Sequence, residues 1–196
     1  MSKSTIGVLA VQGAFIEHEK MLRSLGAECR ELRCREDIDH LDGIVLPGGE
    51  STVQARLLTE LSMMAPLKNL IEGGVPVLAT CAGLILLAEH IGGGEAPHIA
   101  TLPVTVRRNA YGRQSASFCC RASFGTMADV PMMFIRAPFI ESVGDGVEIM
   151  AHDSSDAQNI TAVKYKNQLA MAFHPELTND TRVHEYFLKL ISRRRG

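Results

Sequence analysis

Short apolar runs and longer amphipathic stretches take turns along the first ninety residues. Ile6–Val11 is a continuous apolar run of strand length. After Gln12-Gly13, apolar positions recur at helical spacing from about Phe15 to Leu25, where Gly26 stops them. Ala27–Leu32 reads as a second strand and Asp37–Asp42 as a short acidic connector. Gly43–Leu46 is a third strand, cut off by Pro47-Gly48-Gly49, and Glu50-Ser51-Thr52 opens a helix that runs to about Leu61. A further helix over about Met64–Glu72 ends at Gly73-Gly74. Val75–Ala79 is again short, apolar and partly β-branched, as a strand buried on both faces is, whereas Leu84–Glu89, β-branched only at Ile85, favours helix. Strand and helix alternating in this way imply a parallel sheet with helices on both faces.

Beyond His90 the period changes. Gly92-Gly93-Gly94 breaks the helix, and Leu102–Val106, Ser115–Cys120 and Met132–Ile135 alternate as antiparallel strands do. Val147–His152 and Ile160–Tyr165 predict a hairpin pair joined by the polar loop Asp153–Asn159, and Gln168–Phe173 one more strand. Thr181–Ser192 places Val183, Tyr186, Phe187, Leu190 and Ile191 at helical spacing, a core-facing helix. The fold class is therefore α/β, a three-layer α/β/α arrangement around a mixed, mostly parallel central sheet.

Composition narrows the possibilities without naming a chemistry. A chain of 196 residues that is 46% hydrophobic, with net charge -2, predicts one globular domain over residues 1–196 with a proper core. The near-neutral charge argues against nucleic acid as a partner, and Arg193-Arg194-Arg195 reads as a solvated helix tail. No run reaches membrane-spanning length, and Ile6–Val11 is too short for the apolar region of a signal peptide. Five cysteines argue against a disulfide framework and for a reducing, cytoplasmic setting. Cys29 and Cys34 lack other ligand types for a zinc site, and the adjacent Cys119 and Cys120 would face opposite sides of a strand. No metal and no cofactor are expected.

Cys81 is different, because it sits where the apolar strand turns into an apolar helix, with Gly83 to let the backbone turn tightly. A nucleophile on such an elbow projects from the carboxyl edge of a parallel sheet, at the amino end of the following helix. The plain alternative is a small buried residue. A second signal is His174-Pro175-Glu176. In an extended segment, residues two apart face the same way, so Glu176 would reach the imidazole and fix its tautomer. If the two strand ends adjoin, Cys81, His174 and Glu176 supply a nucleophile, a general base and an orienting carboxylate. Pro47-Gly48-Gly49 is the third signal: a glycine turn can aim backbone N–H groups at an oxyanion, or it can be a simple strand-to-helix turn capped by Ser51 or Thr52.

Taken together, Thr-Cys81-Ala-Gly-Leu, Phe-His174-Pro-Glu-Leu-Thr and Pro-Gly-Gly-Glu-Ser-Thr resemble the class I glutamine amidotransferases, with their flavodoxin-like α/β/α fold. Gly7–Gly13, Arg108-Asn109 with Gly112-Arg113-Gln114, Phe134–Pro138 and His174–Thr178 resemble one branch, the glutaminase subunits of pyridoxal 5'-phosphate synthases, in the right order from about Ile6 to Ile191. The resemblance implies L-glutamine as substrate, Cys81, His174 and Glu176 as the triad, and a separate synthase subunit as partner and recipient of the ammonia. It also implies that Gly49, Glu50, Ser51, Arg108, Ile135 and Arg136 bind glutamine. For the oxyanion, chemistry asks for the N–H of Ala82 and that of Gly48 or Gly49. The chain departs from the branch at Ala79, where glycine is usual, and at Phe139, where histidine commonly follows Ala-Pro. Two other classes compete with this reading: a free-standing thiol hydrolase or peptidase on the same fold, and a binding module without turnover.

Overall fold

The structure is a computed structural model, and the residues described are 3–108, 117–153 and 159–195. Among them, strands β1 (Thr5–Leu9), β2 (Glu28–Leu32), β3 (Gly43–Leu46) and β4 (Val77–Thr80) are joined by helices α1 (Phe15–Ser24), α2 (Ser51–Glu60) and α3 (Met64–Glu72). These four strands pair in parallel in the order β2-β1-β3-β4. The link from β1 to β2 runs one way along the sheet and that from β3 to β4 the other. Because such crossovers are right-handed, α1 lies on one face and α2 with α3 on the opposite one. The order reverses between β1 and β3, and the loops Gln12–Ala14 and Pro47–Glu50 meet there. Open α/β sheets form their ligand crevice at such a reversal.

The sheet then becomes mixed. After α4 (Ala82–Leu87) come β5 (Ala88–Ile91), β6 (Leu102–Arg107), β7 (Ser117–Phe124), β8 (Met127–Ile135), β9 (Phe139–Val143), β10 (Glu148–His152), β11 (Ile160–Tyr165) and β12 (Gln168–Met171), and α5 (Arg182–Arg195) closes the described chain. β12 pairs with β4 in parallel, while β11 is antiparallel to β12, β10 and β9. Three details differ from the sequence reading. The apolar run after Cys81 leaves the helix at Leu87, and residues 88–91 join the sheet in parallel beside β6. β9 went unread because Pro138 and the polar Glu141-Ser142 disguise it. β7 and β8 form a separate two-stranded sheet; positions 115 and 116 of the predicted strand lie outside the described residues.

That hairpin and α5 both steady the site. Phe134 of β8 packs on Phe173, just past β12, with ring centroids 5.8 Å apart, and Phe124 of β7 meets Phe173 edge-on at 6.3 Å. On α5, Phe187 and Ile191 pack so closely over β3 that a side chain at Gly43 would overlap both. Phe187 is fully buried. Phe187→Ala is expected to cost about 3–5 kcal/mol through lost burial and a cavity, read as a fall in the urea midpoint with an unchanged slope. An effect below about 1 kcal/mol would mean that α5 does not anchor the sheet as its packing indicates.

Candidate active site

The parallel pairing of β4 with β12 brings the sequence signals together. Its register sets Thr80 beside Met171, so Cys81 and the segment leading to His174 leave the sheet at the same edge. Cys81 has φ 47° and ψ -100°, an uncommon conformation for a residue with a side chain, of the kind that costs about 1–3 kcal/mol. Neighbours hold it there. The Cys81 N–H donates to the Met171 carbonyl at 2.8 Å, and Gly83 approaches β3 so closely that a Cβ would collide with the Leu46 carbonyl. Cys81 is buried, and its Sγ lies 3.9 Å from the carbonyl oxygen of Ile135.

His174 lies three residues beyond β12, with its N–H bonded to the Met133 carbonyl on β8 at 2.8 Å. The chain does not continue extended as the two-residue spacing suggested. Pro175 starts a 3-10 turn, Pro175–Leu177, and this turn brings Glu176 Oε1 to 2.7 Å from His174 Nδ1. Proline's fixed φ suits the first position of such a turn. Burial works against a charge on the imidazole. The hydrogen bonds to Cys81 and Glu176, with their negative charge, outweigh it and raise His174 to about 10. An imidazolium beside Cys81 is the consequence. The ring lies against Gly48, where any side chain would occupy its place.

The two glycines of the turn differ in what their N–H groups do. Gly48 donates to the buried Thr80 Oγ1 at 3.0 Å, which removes it as a free donor. The Gly48 carbonyl accepts from Ala14 N–H at 2.9 Å, so the planar Gly48–Gly49 peptide turns the Gly49 N–H away from Ala14. Ala82, first residue of α4, has no intrahelical acceptor for its N–H.

A cavity of about 310 Å³ opens over these groups, lined by Gly48, Gly49, Glu50, Ser51, Cys81, Arg108, Ile135, Arg136 and His174. The Arg108 guanidinium bonds Glu50 Oε1 at 2.8 Å and Glu95 Oε2 at 3.1 Å. Ser51 is buried, Ile135 half-buried and Arg136 exposed at φ 44°. Ala82 is buried behind the wall rather than lining it. Asn109 and Gly112-Arg113-Gln114 lie outside the described residues. Sequence reasoning missed Glu95, whose partnership with Arg108 no local pattern announces. It also missed Gln12, whose Oε1 accepts from Glu50 N–H at 2.8 Å, and Gln54, whose amide bonds the Gln12 and Pro47 carbonyls at 2.9 and 3.2 Å. The Gln12-Gly13 pair shortly after β1 was the available signal. Burial drives Cys29 up to about 11, and the hydrogen bond with Asp37 raises Cys34.

Residues 8–193 match the model of the SNO glutamine amidotransferase family. The chain belongs to that family. A protein of Desulfitobacterium hafniense named pyridoxal 5'-phosphate synthase subunit PdxT is 58% identical over 95% of this chain and 93% of its own length. One of Methanocorpusculum labreanum with the same name is 50% identical over 95% and 97%. A solved structure described as a glutamine amidotransferase superposes with a TM-score of 0.90 at 39% identity, covering 95% of this chain and 98% of that one.

The cavity presents a cation and a carboxylate side by side, Arg108 and Glu50. The contact between Gly48 and His174 supplies a direct test. Gly48→Ala puts a methyl group where the imidazole lies, so turnover of glutamine should fall by about tenfold or more while the thermal midpoint stays within a few degrees. Unchanged turnover would show that the ring does not need this seat.

Proposed function

We propose that the chain is the glutaminase subunit of a pyridoxal 5'-phosphate synthase, working in the cytoplasm. It hydrolyses L-glutamine to L-glutamate and ammonia and delivers the ammonia to a synthase subunit. The observation that carries this is the convergence of Cys81, His174 and Glu176 on one cavity that also presents Glu50 and Arg108. The names borne by the relatives support the assembly. A free-standing thiol hydrolase would use the same three residues, but it gives no reason for a paired acid and base beside the nucleophile.

In this reading the Cys81 thiolate attacks the side-chain amide carbon, and the oxyanion is held by the N–H groups of Ala82 and Gly49. The C–N bond breaks as His174 gives its Nε2 proton to the departing ammonia. Water then adds to the thioester, passes a proton back to His174, and the C–S bond breaks to release glutamate and regenerate the thiolate. Glu176 fixes the imidazole's tautomer through Nδ1. Gly49, Ser51, Ile135 and Arg136 shape the glutamine pocket, while Arg108 takes the α-carboxylate and Glu50 the α-ammonium.

The synthase subunit also controls the reaction. The Gly48–Gly49 peptide is oriented by its bond to Ala14, in the Gln12–His18 segment where Ile16 is 48% exposed and close in the chain to the pocket wall. Docking on this segment re-aims the Gly49 N–H and completes the oxyanion site. One such donor is worth on the order of a hundredfold in rate. Steady-state ammonia release at saturating glutamine should therefore rise by about that factor when excess synthase subunit is added, and Cys81→Ala should abolish it in both conditions. Turnover retained in the alanine variant would sink the triad. Full activity of the lone chain, unmoved by the partner, would sink only the control.

A further inference from the structure

Behind the cavity lies a second set of polar side chains that the reaction steps above do not use. His18 of α1, His184 of α5 and Thr80 at the end of β4 have no exposed surface at all. His18 Nδ1 lies 3.0 Å from His184 Nε2, and His18 Nε2 lies 3.2 Å from Thr80 Oγ1 and 3.4 Å from Glu176 Oε2. Glu176 gives its other oxygen to His174, and among the described residues Oε2 makes no standard hydrogen bond. The nearby carboxylate favours a charged His18. Full desolvation of the ring outweighs it, and the pKa of His18 is lowered. Burial likewise drives His184 down to about 3. Both rings are neutral, so the question is which nitrogen of each carries its proton.

Two arrangements satisfy the 3.0 Å contact. If His18 donates from Nδ1 to His184, its Nε2 lone pair faces the Glu176 carboxylate, and His184 Nδ1 must hold a buried N–H with no partner among the described residues. If His184 donates from Nε2 to His18 Nδ1, the His18 N–H points at Glu176 and Thr80, and only an acceptor lone pair is left unpartnered on His184. Orphaned buried N–H groups are the rarer and costlier defect, and a lone pair against a carboxylate is repulsive. The second arrangement wins on both counts.

We infer that His18 is a positioning residue for the reaction. Its Nε2–H holds the outer oxygen of Glu176, and His184 fixes the tautomer that makes this possible. The inference rests on the triad proposed above. The chain of contacts runs from α5 through α1 to Glu176 and His174, and Thr80 extends it to the Gly48 N–H at 3.0 Å. Deprived of the His18 donor, the carboxylate stays buried with one oxygen bare and turns from Nδ1 in search of a partner. The imidazolium then loses part of its support. The charged and titratable groups around His18 are Glu176 and His174 beyond β12, His184 on α5 and Glu17 on α1.

The test uses the full chain with saturating synthase subunit and compares His18→Leu, His18→Gln, Glu176→Gln and the double variant His18→Leu with Glu176→Gln. His18→Leu should lower kcat by about ten- to a hundredfold with KM for glutamine changed less than about twofold, because the lost contact acts on Glu176 and not on the pocket. The alkaline limb of its pH–rate profile should move to lower pH, since a weaker hold by Glu176 lowers the His174 pKa. His18→Gln, whose amide N–H can reach the place of Nε2, should recover most of the loss. In the Glu176→Gln background His18→Leu should add little. A kcat for His18→Leu within twofold of the parent, or an equal loss in the Glu176→Gln background, would overturn the inference. Full turnover by Glu176→Gln alone would bring down the triad reading with it, which marks that failure as a different one. Should His18→Leu not fold, nitrogen-15 spectra of the unaltered protein decide. A protonated Nε2 and bare Nδ1 on His18 uphold the inference, and the reverse tautomer defeats it.

Discussion

The parallel pairing of β4 with β12 is the constraint on which the rest of the site depends. These strands are separated by almost ninety residues of chain, yet their register alone brings Cys81 and His174 to one edge. Each strand is fully buried, so the pairing is fixed by packing on both faces as well as by hydrogen bonds. A slip of one residue would turn every side chain of β12 to the other face and carry the His174 segment away from Cys81.

Around that pairing the molecule is assembled from two kinds of contact with different tasks. The aromatic cluster of Phe124, Phe134 and Phe173 is large and apolar, and it fixes the β7–β8 hairpin that contributes Ile135 and Arg136 to the cavity wall. Such burial is strong but tolerant of small shifts. Hydrogen bonds do the fine placement. The Cys81 N–H on Met171, the His174 N–H on Met133 and the Gly48 N–H on Thr80 each tie one part of the site to a different strand. Backbone strain at Cys81 persists because these ties over-determine it.

Much of this was legible in the sequence, for identifiable reasons. Buried parallel strands announce themselves as short apolar runs, and β1, β3 and β4 were readable in that way, as was α5 from its apolar spacing. Cys81 was marked by a strand-to-helix change with glycine two residues on, and His174 by its proline and carboxylate. What was not legible depends on tertiary contact. Nothing local says that Ala88–Ile91 pairs with β6 rather than continuing α4, that Thr80 takes the Gly48 N–H, or that Glu95 shares Arg108 with Glu50. The proximity of His174 to Glu176 was anticipated by strand alternation, whereas a 3-10 turn produces it. Several local geometries can bring residues two apart together, and sequence spacing does not choose among them.

The central claim is that glutamine turnover passes through a covalent intermediate on Cys81. The most direct measurement is intact-mass and peptide mass spectrometry of the protein with its synthase subunit, quenched in acid during steady-state turnover of glutamine. The account predicts an added glutamyl group on the peptide containing Cys81, absent from Cys81→Ala. Ammonia release with no adduct, or with the adduct on Cys29, Cys34, Cys119 or Cys120, would contradict it.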